Sequence, residues 1–151
     1  MPNERTSCFV DTNLLIYSID PRETERRHVA AALLNNLVDT GRLVLSPQSL
    51  NECYRALTER RDLLPRYAAQ AYVISLLQFC TAPYDFDVTR RAWQIQERHR
   101  FGWWDTMLLA SASIAQCDFF FSEDMQHERA VDGLTILNPF RLDPNSLVPV
   151  K

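Results

Sequence analysis

Apolar residues along this chain follow two rhythms that alternate. Short runs of the kind that make buried strands stand at Cys8-Phe9-Val10, Leu43-Val44-Leu45, Cys117 through Phe121 and Leu134-Thr135-Ile136-Leu137. Between them the spacing is helical. A short helix is expected after the first strand, through Leu14, Leu15 and Ile16, until Asp20-Pro21 breaks it. A long helix from about Glu23 to Asp39 carries an apolar stripe of Val29, Leu33, Leu34, Leu37 and Val38, with Gly41 just past its end. Ser46-Pro47 reads as the N-cap and first residue of a helix with Leu50, Cys53, Tyr54 and Leu57 on one face. Pro65 opens another, from about Arg66 to Phe79. Asp87 or Thr89 starts the next, with Val88, Ala92, Trp93 and Ile95 inward and Arg90, Arg91, Glu97 and Arg98 outward. From Asp105 to Cys117 nearly every residue is apolar or small, the mark of a helix buried on most sides.

Strands that alternate with helices over a whole chain imply a parallel sheet covered on both faces, a three-layer α/β/α fold. No internal repeat or linker interrupts the alternation. Residues 1–151 therefore read as a single domain, with a Pro-punctuated tail that runs extended from about residue 141.

Composition narrows the chemistry. Only three glycines are present, so neither a Walker loop nor a dinucleotide fingerprint can be drawn. A formal charge of −3 argues against a generally basic nucleic-acid coat, although carboxylates that hold a metal would inflate that count. Cys8, Cys53, Cys80 and Cys117 lie in apolar or helical contexts, no two at metal-ligand spacing, and are expected to be reduced core residues. With no signal-peptide pattern and no apolar run near the roughly 20 residues that span a bilayer, the expectation is a soluble cytoplasmic protein.

The candidate chemistry is acidic. In an open α/β sheet, ligands collect beyond the carboxyl ends of the strands. Asp11 and Asp124 each follow an apolar strand at that end, and Glu52 sits on the helix that leaves the second strand. Asp105 stands at the start of the buried helix. Each has an ordinary alternative. Asp11, Asn13 or Asp105 could be plain helix N-caps, and Glu52 could be solvated or close a capping box with Ser49. Four carboxylates in one crevice repel and raise one another's pKa unless a cation sits among them. An all-oxygen set of this kind suits magnesium or manganese. His28, His99 and His127 read as surface residues, and no serine or cysteine nucleophile is paired with a base.

These pieces occur in an ordered set: Val10-Asp11-Thr12-Asn13, Glu52 within Ser49-Leu50-Asn51-Glu52, Trp104-Asp105, and Ser122-Glu123-Asp124. From about Cys8 to Phe140 the chain resembles the PIN-domain nucleases, and within them the VapC-type toxin ribonucleases. The resemblance implies a magnesium- or manganese-dependent endoribonuclease in which Asp11, Glu52, Asp105 and Asp124 hold metal, assisted by Asn13 and Ser122. It further implies an RNA substrate, a small antitoxin partner and a homodimer. Two features depart from the family pattern: Glu123 could compete with Asp124, and Met125-Gln126-His127-Glu128 is unusually polar. Arg60 and Arg61, or Arg98 and Arg100 leading into Trp103, offer a phosphate-binding rim, against the plainer reading of solvated helix ends. The helices from Ser46 to Phe79 carry more apolar surface than one sheet face buries, which points to an interface. Two other functions are open. An acid-site α/β phosphatase would need a second aspartate where Asn13 stands, and a silent PIN-like binding domain would not need the acid set.

Overall fold

The computed structural model describes residues 6–148. Five strands, β1 (Cys8–Val10), β2 (Leu43–Val44), β3 (Phe119–Phe121), β4 (Ala130–Val131) and β5 (Leu134–Leu137), form one sheet in the order β2-β1-β3-β5-β4. All pairings are parallel except that between β4 and β5. Alternation along each strand divides the core. Phe9, Phe120 and Ile136 face one layer, where α5 (Phe86–Arg98) and α6 (Trp103–Ile114) cover them. Cys8, Val10, Phe121 and Leu137 face the other, covered by α1 (Thr12–Tyr17), α2 (Thr24–Asp39), α3 (Pro47–Arg55) and α4 (Arg66–Ser75). Phe9 and Phe120, neighbours on adjacent strands, stack at 5.1 Å and close the first layer over the sheet centre. The result is the expected three-layer α/β/α arrangement, with an antiparallel edge added.

That edge is the first correction. Asp132 and Gly133, both at positive φ, join β4 to β5 in a two-residue turn, and so add a strand that the apolar pattern did not show. A second concerns the start of α6. Its N-cap is Gly102, so the helix begins at Trp103 and Asp105 lies inside its first turn. Trp93 and Val38, expected inward, are exposed; Trp93 instead packs edge-on against Phe86 at the surface. Helix α5 begins at Phe86, capped by Asp85. Helix α4 ends at Ser75 and gives way to a 3₁₀ turn over Leu77–Phe79, after which Cys80 bridges Leu45 on the outer edge of the sheet.

Other boundaries follow local chemistry. Gly41, at φ 68°, closes α2 in a Schellman arrangement: its N–H reaches the Val38 carbonyl and the Arg42 N–H reaches that of Leu37. Ser46 caps α3 and exchanges bonds with Ser49 as a capping box, with Pro47 first inside. This occupies Ser49 and leaves Glu52 out of the cap. Cys8, Cys53 and Cys117 are buried, Cys80 partly so, and none is bridged.

Past Arg55 the third helix widens into a π turn over Ala56–Arg60, with the Arg61 N–H donating to the Ala56 carbonyl. The widening ends against Asp20, a carboxylate with no solvent exposure. Arg22 grips it from both oxygens at 3.0 Å, Arg61 donates to it at 2.7 Å, and these bonds hold its carboxyl well below the usual carboxylate range. Arg61 also lies over the Tyr17 ring. Asp20 thus ties the end of α1 to the end of the π turn. Asp20→Ala should cost about 2 kcal/mol of stability, less than a fully buried pair because both arginines can return to water. Urea unfolding midpoints of the two proteins check this, and an unchanged midpoint would contradict it.

Candidate active site

The strand order places a switch point between β1 and β3: from β1 the chain moves first to one neighbour and later to the other. Crevices at such points are where open α/β sheets bind ligands. The register decides what lies there. Val10 pairs with Phe121, the Asp11 N–H donates to the Phe121 carbonyl, and the next residues are Asp11 and Ser122. Ser122 Oγ donates to Asp11 Oδ2 at 2.9 Å. The other oxygen, Oδ1, accepts the Thr12 N–H at 2.7 Å, so Asp11 is also the N-cap of α1. Capping and site placement are one arrangement here, not alternatives.

The remaining acids arrive from three directions. Asp124 follows β3, with its N–H on Ser122 Oγ and its Oδ2 accepting the Asn13 amide at 2.8 Å. Glu52 comes from α3, accepting Thr12 Oγ1 at 2.9 Å and Gln48 Nε2 at 2.8 Å. Asp105 enters from the first turn of α6. Together Asp11, Thr12, Asn13, Glu52, Asp105 and Asp124 line a cleft of about 400 Å³, with Arg55 and Arg60 on its rim.

Glu123 does not compete with Asp124. It turns away to Arg26, which donates from Nε at 2.8 Å, and its carboxyl is held below the ordinary range. The two following residues of interest are also occupied elsewhere: Met125 is buried in the α5/α6 layer, and His127 Nδ1 accepts the Asn138 N–H. His28 is exposed as expected, but His127 and His99 are half-buried, the latter against Arg129 and Phe101. None of the three lines the cleft.

Of the four candidate arginines only Arg60 reaches the cleft. Arg61 is spent on Asp20 and Glu23, Arg98 pairs with Asp132 beyond α5, and Arg100 is exposed away from the acids. Arg55, which sequence reasoning missed, also lines the rim, where it is paired with Glu59 at the surface. The signal was present: Gln48, Asn51, Glu52 and Arg55 recur at i, i+3, i+4 and i+7, one polar stripe along α3.

Burial and crowding show in the acids. Asp11, only 6% exposed, has its pKa pushed up to about 7, chiefly by burial and further by Asp105 and Asp124, against the opposing bonds from Ser122 and Thr12. Asp105 is raised by burial, then by Asp124 and Glu52. Among the described residues, no three His, Cys, Asp or Glu side chains are gathered closely enough to hold one ion as they stand. Their oxygens are instead engaged by Thr12, Asn13, Ser122 and Gln48. The donor set itself is all oxygen and strongly anionic, which matches a hard divalent cation and no softer metal.

Residues 8–132 match the PIN domain family model, and the chain belongs to the PIN-domain family. Its structure is similar to that of Mycobacterium tuberculosis VapC20, described as a sarcin–ricin loop cleaving toxin. The TM-score is 0.52 at 21% sequence identity, covering 78% of this chain and 92% of that one. At that identity the likeness is one of fold. A comparison with curated proteins gives no match.

The raised pKa of Asp11 has a sign that can be tested. The folded protein holds a proton on Asp11 up to about pH 7, whereas an unfolded aspartate releases it near 3.9. Between these values the native state binds more protons, so stability in chelator should rise as pH falls from 8 to 5. The gain from this group is on the order of 2–4 kcal/mol. Below about pH 4 the trend reverses, because Asp20 in the unfolded chain takes up a proton that the folded protein, with its depressed pKa there, still excludes. Asp11→Asn should be the more stable protein at pH 8 and lose most of the rise. Chemical unfolding across this range measures it, and parallel profiles for the two proteins would contradict the assignment.

Proposed function

We propose that this chain is a magnesium- or manganese-dependent endoribonuclease, the toxin of a toxin–antitoxin pair. The observation that carries the reading is the convergence of Asp11, Glu52, Asp105 and Asp124 on one cleft at the sheet's switch point. In this reading Asp11, Asp105 and Asp124 are ligands of the cation and Glu52 is a direct or water-bridged one, with Asn13 and Ser122 holding Asp124 and Asp11 in place. A bound divalent cation would supply the Lewis acidity that turns water into a nucleophile and stabilises the leaving oxygen of a phosphodiester. The protein's own part is to aim four carboxylates into one space and to hold both Asp11 oxygens, through Ser122 Oγ and the Thr12 N–H, against the cost of burying them. Arg60 and Arg55 then meet the RNA phosphates at the rim. The intact acid set speaks against a silent binding domain, and Asn13 against a phosphatase.

The toxin part of the reading draws support from the likeness to VapC20 and from the surface of α4. Tyr67, Ile74 and Leu77 remain exposed there, while Leu57 and Leu76 are buried. Such a face suits a homodimer or an antitoxin helix laid into the groove beside α3. A basic side chain from the antitoxin would take the place of the cation among the acids. No helix among the described residues is long and apolar enough to cross a membrane. A toxin that acts on RNA would work in the cytoplasm.

The wild-type protein should cleave a mixed RNA pool in manganese and not in chelator, and Asp11→Asn should lower the rate by at least about 100-fold. Expression alone should arrest growth, with relief by Asp11→Asn or by the small gene encoded beside it. Wild-type rates in Asp11→Asn would sink the site assignment, whereas RNA cleavage without growth arrest would sink only the toxin reading.

The rim arginines give a separate readout. Arg60→Gln should flatten the salt dependence of RNA binding by roughly 0.7 in log–log slope, one phosphate contact for a single strand. Arg61→Gln, tied to Asp20, should leave the slope alone and lower stability. Equal slopes for wild type and Arg60→Gln would make Arg60 ordinary surface.

A further inference from the structure

A second depression, of about 370 Å³, opens beside the acidic cleft and is lined by Gln48, Asn51, Glu52, Arg55, Tyr84 and Trp104. Glu52 and Arg55 line both spaces, so the two are continuous. We propose that this pocket holds one unpaired nucleobase of the RNA whose backbone lies in the cleft, an inference that rests on the ribonuclease reading above.

Three observations support it. Two large aromatic side chains stand in solvent at the pocket: Trp104 is 60% exposed and Tyr84 43%. The Trp104 indole makes no hydrogen bond, ring contact or cation contact with the described residues, so it adds little to the fold. Its backbone is nonetheless held firmly. Gln48, itself buried, donates from Nε2 both to the Trp104 carbonyl at 2.9 Å and to Glu52 Oε1, which ties the start of α6 to α3 and fixes the Trp104 backbone relative to the acids. The third observation is the polar wall. Asn51 donates to the Pro47 carbonyl through Nδ2 and keeps its amide oxygen for a base edge.

Aromatic faces beside an amide acceptor match a nucleobase, since every base presents a π-face and most present an amino donor. A cationic side chain from a protein could also lie against two rings. Charge alone does not choose between these occupants, since Arg55 is paired with Glu59 at 3.0 Å and Glu52 also lines the wall. The base is favoured because the pocket is continuous with the cleft that takes the RNA backbone. Arg55 stands between the two spaces, where the phosphate linking base and scissile bond would pass.

The test uses fluorescence anisotropy in an Asp11→Asn background, with two labelled probes of about ten nucleotides, a length within the usual single-strand site sizes. One is oligoadenylate and the other a base-free ribose-phosphate oligomer. Trp104→Ala should weaken oligoadenylate binding about 5- to 100-fold, leave the base-free oligomer and the salt slope unchanged, and be largely rescued by Trp104→Phe. Tyr84→Ala should act in the same direction and provides a second variant independent of α6. Equal loss for both probes, or no loss for either, overturns the pocket. RNA cleavage by the parent protein in manganese separates the two claims. Cleavage with no base-dependent effect at Trp104 removes the pocket alone, and neither cleavage nor oligoadenylate binding removes both.

Discussion

A carboxylate that is nearly sealed from water, yet faces two others, is the constraint on which this structure turns. Asp11 cannot be exposed without breaking the register between β1 and β3, because the Val10–Phe121 pair fixes where the chain emerges. No salt bridge relieves it among the described residues, where its bonds come from Thr12 and Ser122. Its two oxygens are instead held by Ser122 Oγ and the Thr12 N–H, neutral donors that compensate only part of the burial, and the pKa climbs to about 7. A group buried this way costs stability. Its place at the switch point, with Asp105 and Asp124 near it, suits the cation site proposed above.

Contrast with Asp20 sharpens the point. Both aspartates are buried, but Asp20 receives two arginines and its pKa falls, while Asp11 receives hydroxyl and amide and its pKa rises. The π turn after α3 distributes the arginines accordingly. Arg61 swings inward to Asp20, and Arg60 stays free on the rim of the cleft. Consecutive residues of the same chemistry therefore end in different places, Arg61 on a buried carboxylate and Arg60 at the rim of the cleft.

Much of this was legible in the sequence, for physical reasons that differ by element. The strands β1 and β5 were visible because their apolar runs are bounded by polar residues, and the Ser46-Pro47 start of α3 because capping chemistry is local. Strand β4 was missed because two residues carry no periodicity, although Asp132-Gly133 is a hairpin signal that could have revealed it. The inward reading of Trp93 failed because an aromatic at helical spacing cannot show whether its helix has a second neighbour to bury it. The four acids were found through order and strand-end position. Sequence spacing could not show that Arg61 is committed to a buried aspartate, nor that Glu123 would pair with Arg26, since both partners are distant along the chain.

The proposed function stands or falls with the carboxylates at the β1/β3 switch point acting as one divalent-cation site. A crystal of the protein grown or soaked in manganese, measured at a wavelength where manganese scatters anomalously, tests it directly. The expected result is a peak in the cleft within bonding distance of Asp11, Asp105 and Asp124. The Asn13 and Thr12 side chains should have shifted to release the oxygens they now hold. A cleft without anomalous density at saturating manganese, in a protein that still cleaves RNA, would contradict it.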